Sequence, residues 1–227
     1  MFDMDIDWAF LPSLVTGSVS AIAGLIGVWL GGYLTTRRED RREEKRVSKE
    51  SAYLGILVTS HLEKLADECY QVAFDNGEIY GRPAGNEGQY WATVTTLPNF
   101  APLELDVDWK SLPADLMHRI LSLPYQIEQL RRHISAVHEM DDFPDFTEYF
   151  WVRQIEFAKL GLHVSELAMI LRQHASLPAS DQRLGGASRD DDLRKQISTI
   201  SKEKRAYEKR VAEAHSENPP PPVTESA

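Results

Sequence analysis

The chain has 227 residues, a formal net charge of −10 at pH 7 and a pI near 5.2. That balance excludes broad nucleic-acid binding, which needs a basic face against phosphates, so no nucleic-acid partner is expected. Cys69 is the single cysteine, which excludes an intramolecular disulfide and a thiolate metal cluster. Within its helical pattern Cys69 reads as a small buried hydrophobe.

Residues 1–8 form a short acidic start with Asp3, Asp5 and Asp7 and no Lys or Arg. From Ala9 to Thr36 no residue is charged. At about 1.5 Å per residue a helix of that length crosses the roughly 30 Å hydrocarbon core of a bilayer. The acidic start and the length of the apolar run differ from a cleaved signal, so 9–36 is expected to be a retained transmembrane helix. Pro12 lies in its first turn, where a missing N–H costs nothing. Ser13, Gly17, Ser20, Gly24, Gly27 and Gly31 recur in alternating four- and three-residue steps, which puts them on one seam. Small residues let helix backbones approach closely in lipid, so the seam predicts self-association.

Arg37, Arg38, Arg41, Arg42, Lys45 and Arg46 follow the span directly. The positive-inside rule then places the N-terminus outside and the rest of the chain in the cytoplasm, with these residues near lipid headgroups. The layout resembles that of many single-pass bacterial membrane proteins, which implies the cell inner membrane. Residues 37–51 read as a charged helical stalk, free of Gly and Pro and supported by Glu39 with Arg42 and Glu43 with Arg46.

Residues 52–178 read as a helical bundle. Leu54, Leu57, Val58, His61, Leu62, Leu65, Cys69 and Val72 mark its first helix, bent near Gly55 or at the membrane surface and ended by Asn76-Gly77. Gly and Pro then break the pattern over an irregular insertion at 77–112, in which Tyr90 to Thr96 has the composition of a short strand. Leu116, Met117, Ile120 and Leu121 restart the helical stripe, Pro124 imposes a kink or short break, and Ile127, Leu130, Ile134 and Val137 continue it. Asp145 and Glu148 match a capping box for the next helix, which buries Phe150, Trp151, Ile155, Ala158, Leu162, Leu167 and Leu171 and ends near His174. The short turn between these helices implies antiparallel neighbours.

Residues 179–227 read as a linker, a helix and a disordered end with prolines at 219–222. Leu193, Ile197, Ile200, Lys204, Tyr207, Val211 and Ala214 give the 190–214 helix a coiled-coil spacing, predicting a helix that stands alone or pairs in an oligomer. The expected fold is therefore all-α.

The sequence contains no phosphate-binding glycine loop, dinucleotide fingerprint, serine elbow or zinc-protease helix. Asp115 with His118 and His163 with Glu166 each share a helix face, but neither has the order of a two-metal bundle motif. His133, His138, Glu139, Asp141 and Asp142 cluster near a helix end, but His133 and His138 are five apart and diverge around the helix, so these two are not expected to share an ion. No catalytic, metal or cofactor site is predicted. The expected function is a non-enzymatic, membrane-anchored scaffold that self-associates and binds a cytoplasmic protein. The alternatives are a membrane-perturbing effector of pore, defence or lysis type, and a tethered enzyme with its site near 77–112.

Overall fold

A computed structural model describes residue 46, residues 49–178 and residues 188–217, with side chains to residue 213. The predicted span with its seam, the stalk apart from Arg46 and residues 49–51, and the Pro-rich end lie outside the described residues. Arg46 is exposed on a helical residue. Among the described residues no helix is long and apolar enough to cross a membrane. The described chain is mostly helical, and its one sheet is a two-stranded hairpin.

Helix α1 (49–73) buries Leu54, Val58, Leu62, Leu65, Cys69 and Val72 along one stripe. His61 falls off the edge of that stripe and is exposed, contrary to the expected face. The helix runs unbroken through Gly55, one of the two places expected for a bend; the other, at the membrane surface, lies outside the described residues. Gly55 serves packing: a Cβ there would lie 2.2 Å from the Cβ of Ala175. Beyond the helix end, Gly77 takes φ +73°, a conformation open to glycine.

The insertion opens with β1 (Glu78–Ile79) and β2 (Arg82–Pro83), paired antiparallel with Glu78 opposite Pro83. Tyr80 and Gly81 turn the hairpin with φ +54° and +74°, the signs that a two-residue hairpin loop of the primed type requires. Tyr90 to Thr96 is not a strand; Tyr90 alone bridges Gly85. The N–H groups of Val94 and Thr95 instead donate to the carboxylate of Asp75. Farther on, Phe100 and Leu112 enter the helical core, with Leu97, Leu105, Val107 and Trp109 packed against it.

Helices α2 (Ala114–Leu121) and α3 (Leu123–Met140) are separated by a short break at Ser122. The Ser122 hydroxyl donates to the carbonyl of Arg119, so it closes α2 instead of capping α3. Helix α4 (Thr147–His174) follows a short turn. The expected capping box does not form. Phe146 stands at the N-cap with φ +46° and no side-chain bond. Asp141, carried over the helix start by the turn, accepts the N–H of Tyr149 at 2.6 Å, and Glu148 pairs with Lys204.

Helix α4 is buried on more than one side, including Phe150, Phe157, Ala158, Leu160, Val164, Leu167 and Leu171. Of the expected face, Trp151, Ile155 and Leu162 are only half-buried. The reason is that α4 lies among α1, α3 and α5 (Arg189–Glu217), and its most enclosed positions fall between neighbours. Leu193 of α5 packs with Ala73 and Ala158, joined by Ile197, Tyr70 and Leu162. Tyr207 meets Trp151 edge-on with ring centroids 5.5 Å apart. The positions from Leu193 to Tyr207 are thus used within the chain, and this part of the segment belongs to the helical unit instead of trailing from it.

Gly161 sits where α1, α4 and α5 meet. A Cβ there would lie 3.1 Å from Leu193 and 3.2 Å from Cys69. Burial pushes the Cys69 thiol up to about 12, with Glu68 adding to the rise and Arg189 opposing it. Gly161→Leu should destabilise the fold by about 1–3 kcal/mol through overpacking. The wild-type thiol should resist alkylation at pH 8, and the variant should label faster; equal labelling rates would contradict the close approach.

Candidate functional site

The most enclosed polar group of the described residues is built by three distant segments. Asp75 follows the end of α1, Thr95 lies in the insertion, and Arg153 is in the second turn of α4. Asp75 Oδ2 accepts from the N–H of Val94 at 2.9 Å, the N–H of Thr95 at 2.8 Å, and the Thr95 hydroxyl at 2.7 Å. It also accepts from Arg153 Nη1 at 3.0 Å, and both side chains are only 1% exposed. Oδ1 accepts the N–H of Gly77 at 3.0 Å. Arg153 Nη2 donates to the carbonyl of Thr95 at 2.9 Å and to its hydroxyl at 2.8 Å. Gln154 donates to the Asp75 carbonyl at 2.8 Å, which satisfies the end of α1.

Burial by itself would raise the Asp75 carboxyl. The Thr95 N–H and hydroxyl, the Gly77 N–H and the Arg153 guanidinium outweigh it and hold the group below its ordinary value. Nearby Tyr149 shifts upward, chiefly through burial, with Arg153 opposing. The carboxylate is ionised and both its oxygens accept hydrogen bonds, which gives it a structural office.

A second feature is a cleft of about 790 Å³ between the last turns of α4, α1 and the start of α5. Leu162, Ala168, Met169 and Leu177 give it apolar walls, and Glu63, His163, Glu166, Arg172, Asp190 and Arg194 line its polar side. Its cations are engaged. Arg172 donates to Glu63 at 2.7 Å and to the carbonyl of Pro178 at 3.1 Å. Arg194 pairs with Asp191. Beside the cleft, Arg189 joins Asp67 at 2.6 Å and the Ser165 hydroxyl at 2.8 Å. Burial and Arg119 lower the His163 imidazole, with Glu166 opposing, so it is neutral at pH 7. Ser165 accepts from Arg189 and Glu166 lies 3.5 Å from Arg119. These contacts hold helices together; they do not align a nucleophile with a base.

The histidines singled out in the sequence do not converge. Asp115 and His118 are exposed. His163 and Glu166 line the cleft, where Glu166 faces a cation. His133 is exposed, while His138 stacks on Phe146 at 4.7 Å. Asp141 is occupied at the start of α4. Among the described residues no group of three or more metal-ligating side chains is close enough to hold an ion. Sequence reasoning missed Asp75 and Arg153. The signal was present: Arg153 is a charged residue between Phe150 and Phe157 on a stripe otherwise apolar. Comparison with protein-family models, curated proteins and solved structures finds no match.

Arg153→Met should leave the Asp75 carboxylate buried without its cation and cost about 3–5 kcal/mol, measured by urea unfolding at pH 7. Because the folded Asp75 group titrates below its unfolded value of about 3.9, its stabilisation is complete above that value. It is lost as the pH falls through the folded value. The gap between wild type and variant should therefore narrow in acid. A gap that is absent at pH 7, or constant across the acid range, would remove Asp75 from this role.

Proposed function

We propose that the chain is a non-enzymatic, single-pass membrane protein that self-associates through its span and presents a helical interaction unit in the cytoplasm. The observation that carries this reading is the uncharged run from Ala9 to Thr36, with acids before it and Arg37 to Arg46 after it. The seam of Ser13, Gly17, Ser20, Gly24, Gly27 and Gly31 is its contact surface. Arg37, Arg38, Arg41, Arg42, Lys45 and Arg46 set the orientation and meet anionic headgroups. The helical unit supports an interaction role because its enclosed charges are paired with one another, which favours a rigid surface over a reacting centre.

Crosslinking of the full chain in native membranes should give a discrete oligomer. Gly24→Leu and Gly27→Leu should each shift it toward monomer. A monomeric wild type, or an oligomer that both variants leave intact, would overturn the seam. Collapse of the membrane potential on expression would favour the effector reading instead.

A further inference from the structure

The end of the helical unit opposite Gly55 and Ala175 carries a concentration of exposed apolar side chains. It is formed by the β1–β2 hairpin, the last turn of α3 and the α3–α4 turn. Tyr80 is fully exposed at the hairpin tip, Met140 is 87% exposed and Phe143 is 69% exposed. Backbone and ring contacts tie these pieces together. Gly85, just after the hairpin, donates its N–H to the Tyr90 carbonyl at 2.9 Å, and Trp91 donates to the Pro144 carbonyl at 3.2 Å. The Tyr90 and Phe143 rings lie 5.9 Å apart, and Phe143 meets Phe146 edge-on at 5.9 Å.

Two of these aromatics occupy conformations that disfavour them. Tyr80 has φ +54° and Phe146 has φ +46°, a region where a bulky residue costs on the order of 1–2 kcal/mol. The hairpin turn requires the positive φ at Tyr80 but not an aromatic ring there, and that ring touches little of its own chain. A strained backbone that holds a ring in water is what a contact surface uses.

On the α3–α4 side of these rings the charge has one sign, while Arg82 of β2 is an exposed cation two residues from Tyr80. From residue 133 to residue 152 there is no Lys or Arg, while Glu139, Asp141, Asp142, Asp145 and Glu148 all fall in that stretch. Asp141 and Glu148 are engaged at the start of α4. Asp142 and Asp145 are exposed beside Phe143 and Phe146. Carboxylates next to exposed aromatic faces complement a cationic partner, both through charge and through cation–π contact.

We propose that this end of the helical unit docks a Lys/Arg-rich, aromatic-bearing peptide segment of another protein. This rests on the reading of the chain as an interaction protein and names the partner's chemistry. It does not depend on how many copies the span brings together. Tyr80 and Phe143 are the anchors, as aromatic residues are at protein interfaces. Asp142 and Asp145 supply the attraction that depends on salt.

The test uses the full chain in phosphatidylcholine nanodiscs, with empty nanodiscs as the reference. The probe is a short labelled peptide of Arg, Lys, Trp and Gly followed by fluorescence anisotropy. A matched peptide with Glu in place of Arg and Lys is the comparison. The cationic peptide should bind saturably and the acidic one should not. Tyr80→Asn suits the left-handed turn while removing the ring; combined with Phe143→Ser it should weaken binding about tenfold or more. Asp142→Asn with Asp145→Asn should weaken binding and flatten its dependence on salt. Tyr125→Ser, on the exposed side of α3, should leave binding unchanged. Retained protection of Cys69 from alkylation reports that each variant is folded. No binding of the cationic peptide, equal binding of the acidic one, or equal binding by folded Tyr80/Phe143 variants would overturn the proposal. Crosslinking of the span is read separately, so failure of the docking surface and failure of the oligomer are distinguishable.

Discussion

Asp75 and Arg153 are separated by 78 residues and meet with almost no exposure to water. An ion pair in that position is costly to desolvate, and it persists because Thr95 and Gly77 satisfy most of the remaining hydrogen-bonding capacity. The long irregular insertion depends on this arrangement. A loop of that length between two helices has few backbone bonds of its own and a large entropy to lose. The pair holds its middle against α1 and α4, and Phe100 and Leu112 hold its later part in the core. What begins as a loop is thereby made part of the helical unit's surface.

The second constraint is the enclosure of α4. Its residues face α1, α3 and α5, so its apolar positions are not confined to one stripe. Gly161 permits the closest approach at the α1–α4–α5 junction. Lys204 with Glu148 and Tyr207 with Trp151 then fasten α5 near the first turns of α4. The unit has two unlike ends as a result. One holds Gly55, Ala175 and the mixed-charge cleft; the other holds the hairpin, the α3–α4 turn and the exposed rings.

These two ends bear differently on function. In the cleft, charged side chains neutralise one another, and the contacts lock α1, α4 and α5. At the opposite end, Tyr80, Phe143, Asp142 and Asp145 face water, Tyr80 from a left-handed backbone conformation. The docking proposed for a cationic peptide therefore falls at the hairpin end.

By itself the sequence determined the all-α class, the stripes of α1 and α3, the stop at Asn76-Gly77, the break before Pro124 and the burial of Cys69. Each is written in neighbours a few residues apart, where helical period and backbone preference act directly. The capping of α4 escaped, since Asp141 reaches the helix start only after the turn brings it back. Tyr90 to Thr96 has strand composition, yet a carboxylate took the N–H groups that a neighbouring strand would have bonded. The heptad spacing of 190–214 was legible, but not whether its partner would be another copy or α4. Arg153 stood out on an apolar stripe, while its partners Asp75 and Thr95 were 78 and 58 residues away. Only the tertiary structure decided those pairings, because the energy of a buried charge depends on what surrounds it in space, and local periodicity carries no record of that.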